Sequence, residues 1–80
     1  MVDASNLLSN SSGVVFRGTS GNDRLFGGNG NDFLFGRGGN DELFGQRGND
    51  LLRGSSGNDS LRGRQGRDVL LGGSGSDSLR

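Results

Sequence analysis

The stretch GNDRLFGGNGNDFLFG, residues 21–36, says nearly the same thing twice. Gly21-Asn22-Asp23 returns nine residues later as Gly30-Asn31-Asp32, and Leu25 returns as Leu34. Working outward from this stretch, the chain divides from Gly18 into seven gapless nonamers: GTSGNDRLF, GGNGNDFLF, GRGGNDELF, GQRGNDLLR, GSSGNDSLR, GRQGRDVLL and GGSGSDSLR. They run to Arg80. Positions one and four are Gly in every unit, position six is Asp, and position eight is Leu. Self-similarity at a fixed short period is the mark of a repeat architecture, in which each unit buries its apolar side only against its neighbours.

Each fixed position has a physical reading. Glycine at positions one and four suits left-handed backbone or close approach between chain segments, so G-x-x-G-x-D reads as a tight turn. The remaining x-Leu-x reads as a very short strand with one side chain inward and two outward. Nine residues suffice for half a coil of a β-solenoid. If a full coil takes two nonamers, outward residues should repeat every eighteen. Position seven does so: Arg24, Glu42, Ser60 and Ser78 are polar, whereas Phe33, Leu51 and Val69 are apolar. The fold class predicted is all-β: a right-handed parallel β-roll of seven repeats, two per coil, with two flat sheets.

The same register extends backward. Phe16 precedes Leu25 by nine residues and Leu7 precedes Phe16 by nine, so both fall on the inward line. Val15 joins the apolar outer ladder. Residues 1–17 are therefore expected to form a degenerate N-terminal cap, with VVFR as its strand and residues 9–13 as its loop, and residues 18–80 the roll. Solenoids need caps because their end coils lack a neighbour.

Composition restricts the function. Only 28% of the 80 residues are hydrophobic and 18 are glycine, so an apolar core alone is a weak basis for order in so short a chain. No cysteine is present to form a disulfide or thiolate metal site, and no histidine to act as base or transition-metal ligand. Nine Lys+Arg balance nine Asp+Glu, which gives no electrostatic case for nucleic acid or an anionic membrane. The arginines read as a solvated surface. The N-terminus lacks the basic and apolar regions of a secretory signal, and no run of apolar residues is long enough to span a membrane. With every acid but Asp3 and Glu42 in the turn register, no nucleophile–base pair can be assembled. The chain is expected not to be an enzyme.

Stacking the turns would place aspartates roughly 4.7–4.9 Å apart along each side, where like charges repel and a counter-cation resolves the conflict. Carboxylates combined with turn carbonyls make an oxygen ligand set that suits Ca²⁺ better than the rigid octahedron of Mg²⁺. The alternative is that these are ordinary turn acids bonding their own backbone. It accounts for one or two turns but not for seven in one register.

The G-x-x-G-x-D-x-Leu-x units resemble the RTX (repeats-in-toxin) nonapeptide G-G-x-G-x-D-x-U-x, a calcium-binding repeat. The resemblance implies a parallel β-roll with each Ca²⁺ between two turns on the same side. Carried over by position, the carboxylate ligands are Asp23, Asp32, Asp41, Asp50, Asp59, Asp68 and Asp77, aided by turn carbonyls. Pairing each unit with the next but one gives three sites on one side and two on the other, about five in all. It also implies type I secretion, an extracellular location, and folding on contact with calcium; the chain then reads as a fragment of a larger secreted protein or an engineered repeat. Inward leucines alone do not offset the entropy of ordering the repeats, so folding and metal binding should be coupled.

Departures from the motif are informative. The second glycine survives only as Gly28 and Gly73, with Thr19, Arg37, Gln46, Ser55 and Arg64 in its place. If that position is left-handed, each replacement costs roughly 1–2 kcal/mol. Arg37, Arg47, Arg64 and Arg67 sit in or beside turns and oppose a cation, most of all around Asp68. The outer ladder of Val15, Phe33, Leu51 and Val69, flanked by Phe35 and Leu71, forms a contiguous apolar strip, which suggests a homodimer interface or a docking face. On that reading the roll is a structural or self-assembly module. Phe26 and Phe44 fall on the other sheet, among Arg24, Glu42 and Arg62, and read as a mixed solvated face. An ice-binding face would need a rank of threonines, and Thr19 is the only one.

Overall fold

A computed structural model describes residue 13 and residues 15–80. Among these are eight short strands and no helix: β1 (Val15–Arg17), β2 (Arg24–Phe26), β3 (Phe33–Phe35), β4 (Glu42–Phe44), β5 (Leu51–Arg53), β6 (Ser60–Arg62), β7 (Val69–Leu71) and β8 (Ser78–Leu79). They form two four-stranded sheets, ordered β1-β3-β5-β7 and β2-β4-β6-β8, with every pairing parallel. The register is eighteen residues throughout, as in Phe16↔Leu34↔Leu52↔Leu70 and Leu25↔Leu43↔Leu61↔Leu79. This is the parallel roll expected from the alternation at position seven. The strand before the first nonamer adds an eighth half-coil, so the described residues make about four coils rather than three and a half. The inward register assigned to Leu7 and most of the cap loop (residues 9–12) lie outside the described residues.

A strand of three residues cannot hold a sheet by itself, and the ladder continues into the turns. The position-one glycine donates to the strand end one coil above (Gly18 N–H to Phe35 O, 2.8 Å), and the strand start above donates back to the aspartate carbonyl (Glu42 N–H to Asp23 O, 2.8 Å). Between the sheets, the central residue of each strand points inward. Leu25, Leu34, Leu43, Leu52 and Leu61 are fully buried, with Phe16 and Leu70 packed against them. That core is one residue thick. It aligns the turns, with each leucine in register with the inward residues of the adjoining coils.

The outward residues follow the predicted ladders. Val15, Phe33, Leu51 and Val69 lie in register on one sheet, and Arg17, Phe35, Arg53 and Leu71 lie beside them. On the other sheet Arg24 and Glu42 form an ion pair at 3.2 Å. Phe26 stacks on Phe44 with ring centroids 4.6 Å apart, and Arg62 and Arg64 each lie 5.8 Å from the Phe44 centroid. The face that reads as mixed and solvated from sequence is thus an aromatic–arginine stack.

A candidate metal centre in the stacked turns

The seven motif aspartates divide into two columns, Asp23/Asp41/Asp59/Asp77 and Asp32/Asp50/Asp68, one at each edge of the roll. Asp23, Asp32, Asp41, Asp50 and Asp59 are buried, and Asp68 and Asp77 half-buried. In each column one carboxylate oxygen reaches down to the coil below. Asp23 N–H donates to Asp41 Oδ1 at 2.8 Å, Asp41 N–H to Asp59 Oδ1 at 2.8 Å, and Asp59 N–H to Asp77 Oδ1 at 2.8 Å. In the second column Asp32 N–H donates to Asp50 Oδ1 at 2.7 Å and Asp50 N–H to Asp68 Oδ1 at 2.9 Å. The eighteen-residue pairing of carboxylates is therefore built into the hydrogen bonding. Sequence neighbours such as Asp23 and Asp32 belong to opposite edges.

The second oxygen is different. Oδ2 of Asp41, Asp50 and Asp59 is buried with no hydrogen-bond partner. It packs against the position-one glycine of its own turn: a Cβ on Gly36 would lie 2.5 Å from Asp41 Oδ2, and one on Gly45 2.6 Å from Asp50 Oδ2. Glycine at position one is needed because the carboxylate fills the space a side chain would occupy. A buried, unsatisfied carboxylate oxygen is costly, and it is repeated three times here. Burial, with the Asp59 and Asp23 charges above and below, pushes Asp41 up to about 7, although the hydrogen bond from Asp23 N–H pulls it down. Asp50 and Asp59 are shifted upward, first by burial and then by their column neighbours. Stacked acids in a dry turn favour either protonation or a cation.

Main-chain oxygens line the same stacks. The position-four glycines Gly39, Gly48, Gly57 and Gly66 have positive φ, and the space a Cβ would take on each is filled by the carbonyl of Gly21, Gly30, Gly39 or Gly48 in the coil below. A Cβ on Gly39 would lie 2.5 Å from Gly21 O. Among the described residues no three Asp, Glu, His or Cys side chains converge on one point. Side chains alone therefore do not complete a metal site, and the donor set that fits is carboxylate plus carbonyl. Such oxygens suit a hard cation with a flexible coordination sphere.

Position two is the left-handed position anticipated from the missing glycines. Arg37, Gln46, Ser55 and Arg64 have φ of 66–74°, as do Gly28 and Gly73 in sense. Thr19 is the exception. Its N–H donates to Asp23 Oδ2 at 2.7 Å and its hydroxyl to Asp23 Oδ1 at 3.1 Å, so the first turn satisfies its carboxylate locally.

One feature of the turns escapes the motif reading. Position-five asparagines form a second ladder running opposite to the aspartates: Asn40 N–H donates to Asn22 Oδ1 at 2.7 Å, Asn49 N–H to Asn31 Oδ1 and Asn58 N–H to Asn40 Oδ1, each at 2.8 Å. Arg67 and Ser76 continue it only as donors, to Asn49 and Asn58. Asparagine side chains thus reach up one coil and aspartate side chains reach down one. The signal was Asn at position five in units one to five; a motif written with x at that position hides it.

A family model for the RTX calcium-binding nonapeptide repeat, described as four copies, matches residues 17–52 and again residues 44–79. No curated protein and no solved structure gives a significant match.

Proposed function

The chain belongs to the family of RTX calcium-binding nonapeptide repeats, and from that premise we propose that it is a module whose ordering is driven by calcium. The observation that carries this reading is the buried, partnerless Oδ2 repeated at Asp41, Asp50 and Asp59. Asp23, Asp32, Asp41, Asp50, Asp59, Asp68 and Asp77 would hold the ions together with turn carbonyls. The pairs Asp23–Asp41, Asp41–Asp59, Asp59–Asp77, Asp32–Asp50 and Asp50–Asp68 give about five sites. Bound calcium supplies positive charge and an oxygen-accepting coordination sphere. The chain's own part is to present one carboxylate oxygen to the coil below, keep the other dry behind a glycine, and align both through the leucine layer. Residues 18–80 would be the binding unit, with β1 as the half-coil that precedes it. The family is a structural repeat typical of secreted proteins rather than an enzyme family; exposure to extracellular calcium would then switch the chain from disordered to rolled. Far-ultraviolet circular dichroism should show strand content in millimolar Ca²⁺ and its loss in excess chelator. Equal strand content in both would falsify the coupling.

A second reading rests on the outer ladder. Val15, Phe33 and Val69 are about half exposed on one flat sheet, with Leu51 between them. We propose that this strip pairs two rolls into a homodimer. Light scattering in Ca²⁺ should give twice the monomer mass, and Phe33→Ser with Leu51→Ser should return it to one. A monomeric parent would sink the idea.

A further inference from the structure

The formal charge of the chain is zero, but the structure segregates the two signs. Among the described residues the aspartates lie in the turn columns, where five of the seven are buried. Glu42, outside the columns, is paired with Arg24. The remaining arginines are exposed, apart from the half-buried Arg62. If calcium neutralises the columns, as proposed above, the surface left to a partner is that of a basic protein. Balance along the sequence therefore misjudges what the folded roll presents.

The cations converge most clearly at the strand ends of the β1-β3-β5 sheet. Arg17, Phe35 and Arg53 are register partners on adjacent strands, so two arginines stand on either side of one phenylalanine at strand spacing. Arg37 and Ser55 reach the same place from the turns that follow β3 and β5. Together the five residues line an open groove of about 530 Å³, with no carboxylate in its wall among the described residues. No ion pair or ring contact engages Arg17, Arg37 or Arg53 among the described residues. The matching place on the other sheet differs: Arg62, Arg64 and Arg80 line a smaller hollow of about 250 Å³, and Arg62 and Arg64 lie over Phe44.

Arg37 has φ of 70°, the left-handed conformation that Gln46, Ser55 and Arg64 share at position two and that Gly28 and Gly73 adopt in other turns. Glycine is more stable than arginine in that conformation, so Arg37 can be exchanged for glycine without disturbing the turn.

We propose that the groove formed by Arg17, Arg37, Arg53 and Ser55 around Phe35 binds an oxyanion of a sulfated polysaccharide once the roll has formed. Guanidinium forks match the oxygens of such a group, the Ser55 hydroxyl adds a neutral donor, and the Phe35 ring offers an apolar face to a sugar ring. Sulfate esters fit better than phosphates because they bind calcium weakly and do not strip the ions that shape the groove. The inference rests on the calcium reading, since the five residues meet only in stacked coils.

The test uses the full chain with a heparin hexasaccharide at low salt, followed by calorimetry, while circular dichroism reports independently whether the roll is present. Binding is expected in Ca²⁺, weakening as salt rises. Arg37→Gly is the decisive variant. It should leave the roll at least as stable, because it removes the left-handed arginine, yet weaken hexasaccharide binding by about fivefold or more. Arg24→Ser, on the opposite sheet, should bind as the parent does. A formed roll that fails to bind overturns the groove proposal while the calcium reading stands. Equal weakening by Arg24→Ser and Arg37→Gly, or unchanged binding in Arg37→Gly, also overturns it, because net charge rather than the groove would then be the cause. If no roll forms in Ca²⁺, the calcium reading fails first, and binding in that state would overturn the requirement for stacked coils.

Discussion

The middle coils and the last coil are written in the same nine-residue language but live in different surroundings. Leu43 has a leucine in register on both sides, Leu25 and Leu61, and is fully buried. Leu79 has only Leu61 and remains 47% exposed. Asp41 is buried between Asp23 and Asp59, whereas Asp77 contacts the column through Asp59 alone and is half-buried. Asn40 both accepts and donates in its ladder, while Ser76 only donates. A solenoid unit thus has no fixed burial or fixed energy of its own; it acquires both from the coils above and below.

The largest effect should come from the leucine layer. Leu43→Ala is expected to destabilise the calcium-loaded roll by about 2–5 kcal/mol, the ordinary cost of emptying a packed site. Leu79→Ala should cost under about 1 kcal/mol. Denaturant titration of both variants in saturating Ca²⁺ measures the contrast; equal costs would mean that the last coil is as tightly packed as the middle.

The carboxylates offer a second way to break the comparison. Asp41→Asn removes a carboxylate shared by two proposed sites, Asp77→Asn one that serves a single site. Calorimetric titration should therefore show about two fewer ions in the first variant and about one fewer in the second. An equal loss would show that the ions are not shared along the column.

Position two gives the smallest and sharpest contrast. Gln46→Gly should stabilise the roll by roughly 1 kcal/mol, because φ of 74° is unfavourable for any residue with a Cβ. Thr19→Gly should do the reverse, by about 1 kcal/mol, since it deletes the hydroxyl bond to Asp23 without relieving strain. Thermal unfolding of the two variants in Ca²⁺ reads out the signs. Stabilisation by both would mean that the first turn adopts the same geometry as the others.

Much of this molecule is legible in its sequence. Strict Gly, Asp and Leu positions gave turn, acid column and core, and the alternation of Arg24, Phe33, Glu42 and Leu51 gave two sheets. The asparagine ladder was less visible, because its partner lies eighteen residues away and its donor is a backbone N–H that every residue carries. Thr19 looked like one more departure from glycine, and only its bonds to Asp23 set it apart.

By itself the sequence determined the period, the parallel pairing and the choice of inward side chain, because a nine-residue repeat leaves one way to bury a leucine per unit. Tertiary structure decided what no period encodes: which carboxylate oxygen is bonded and which is left dry, how much of each identical unit is buried, and where the arginines gather. Arg17 and Arg53 are 36 residues apart along the chain and meet across Phe35 because stacking places every eighteenth residue side by side, and Arg37 joins them from the turn after β3. Charge that cancels along a line need not cancel on a surface.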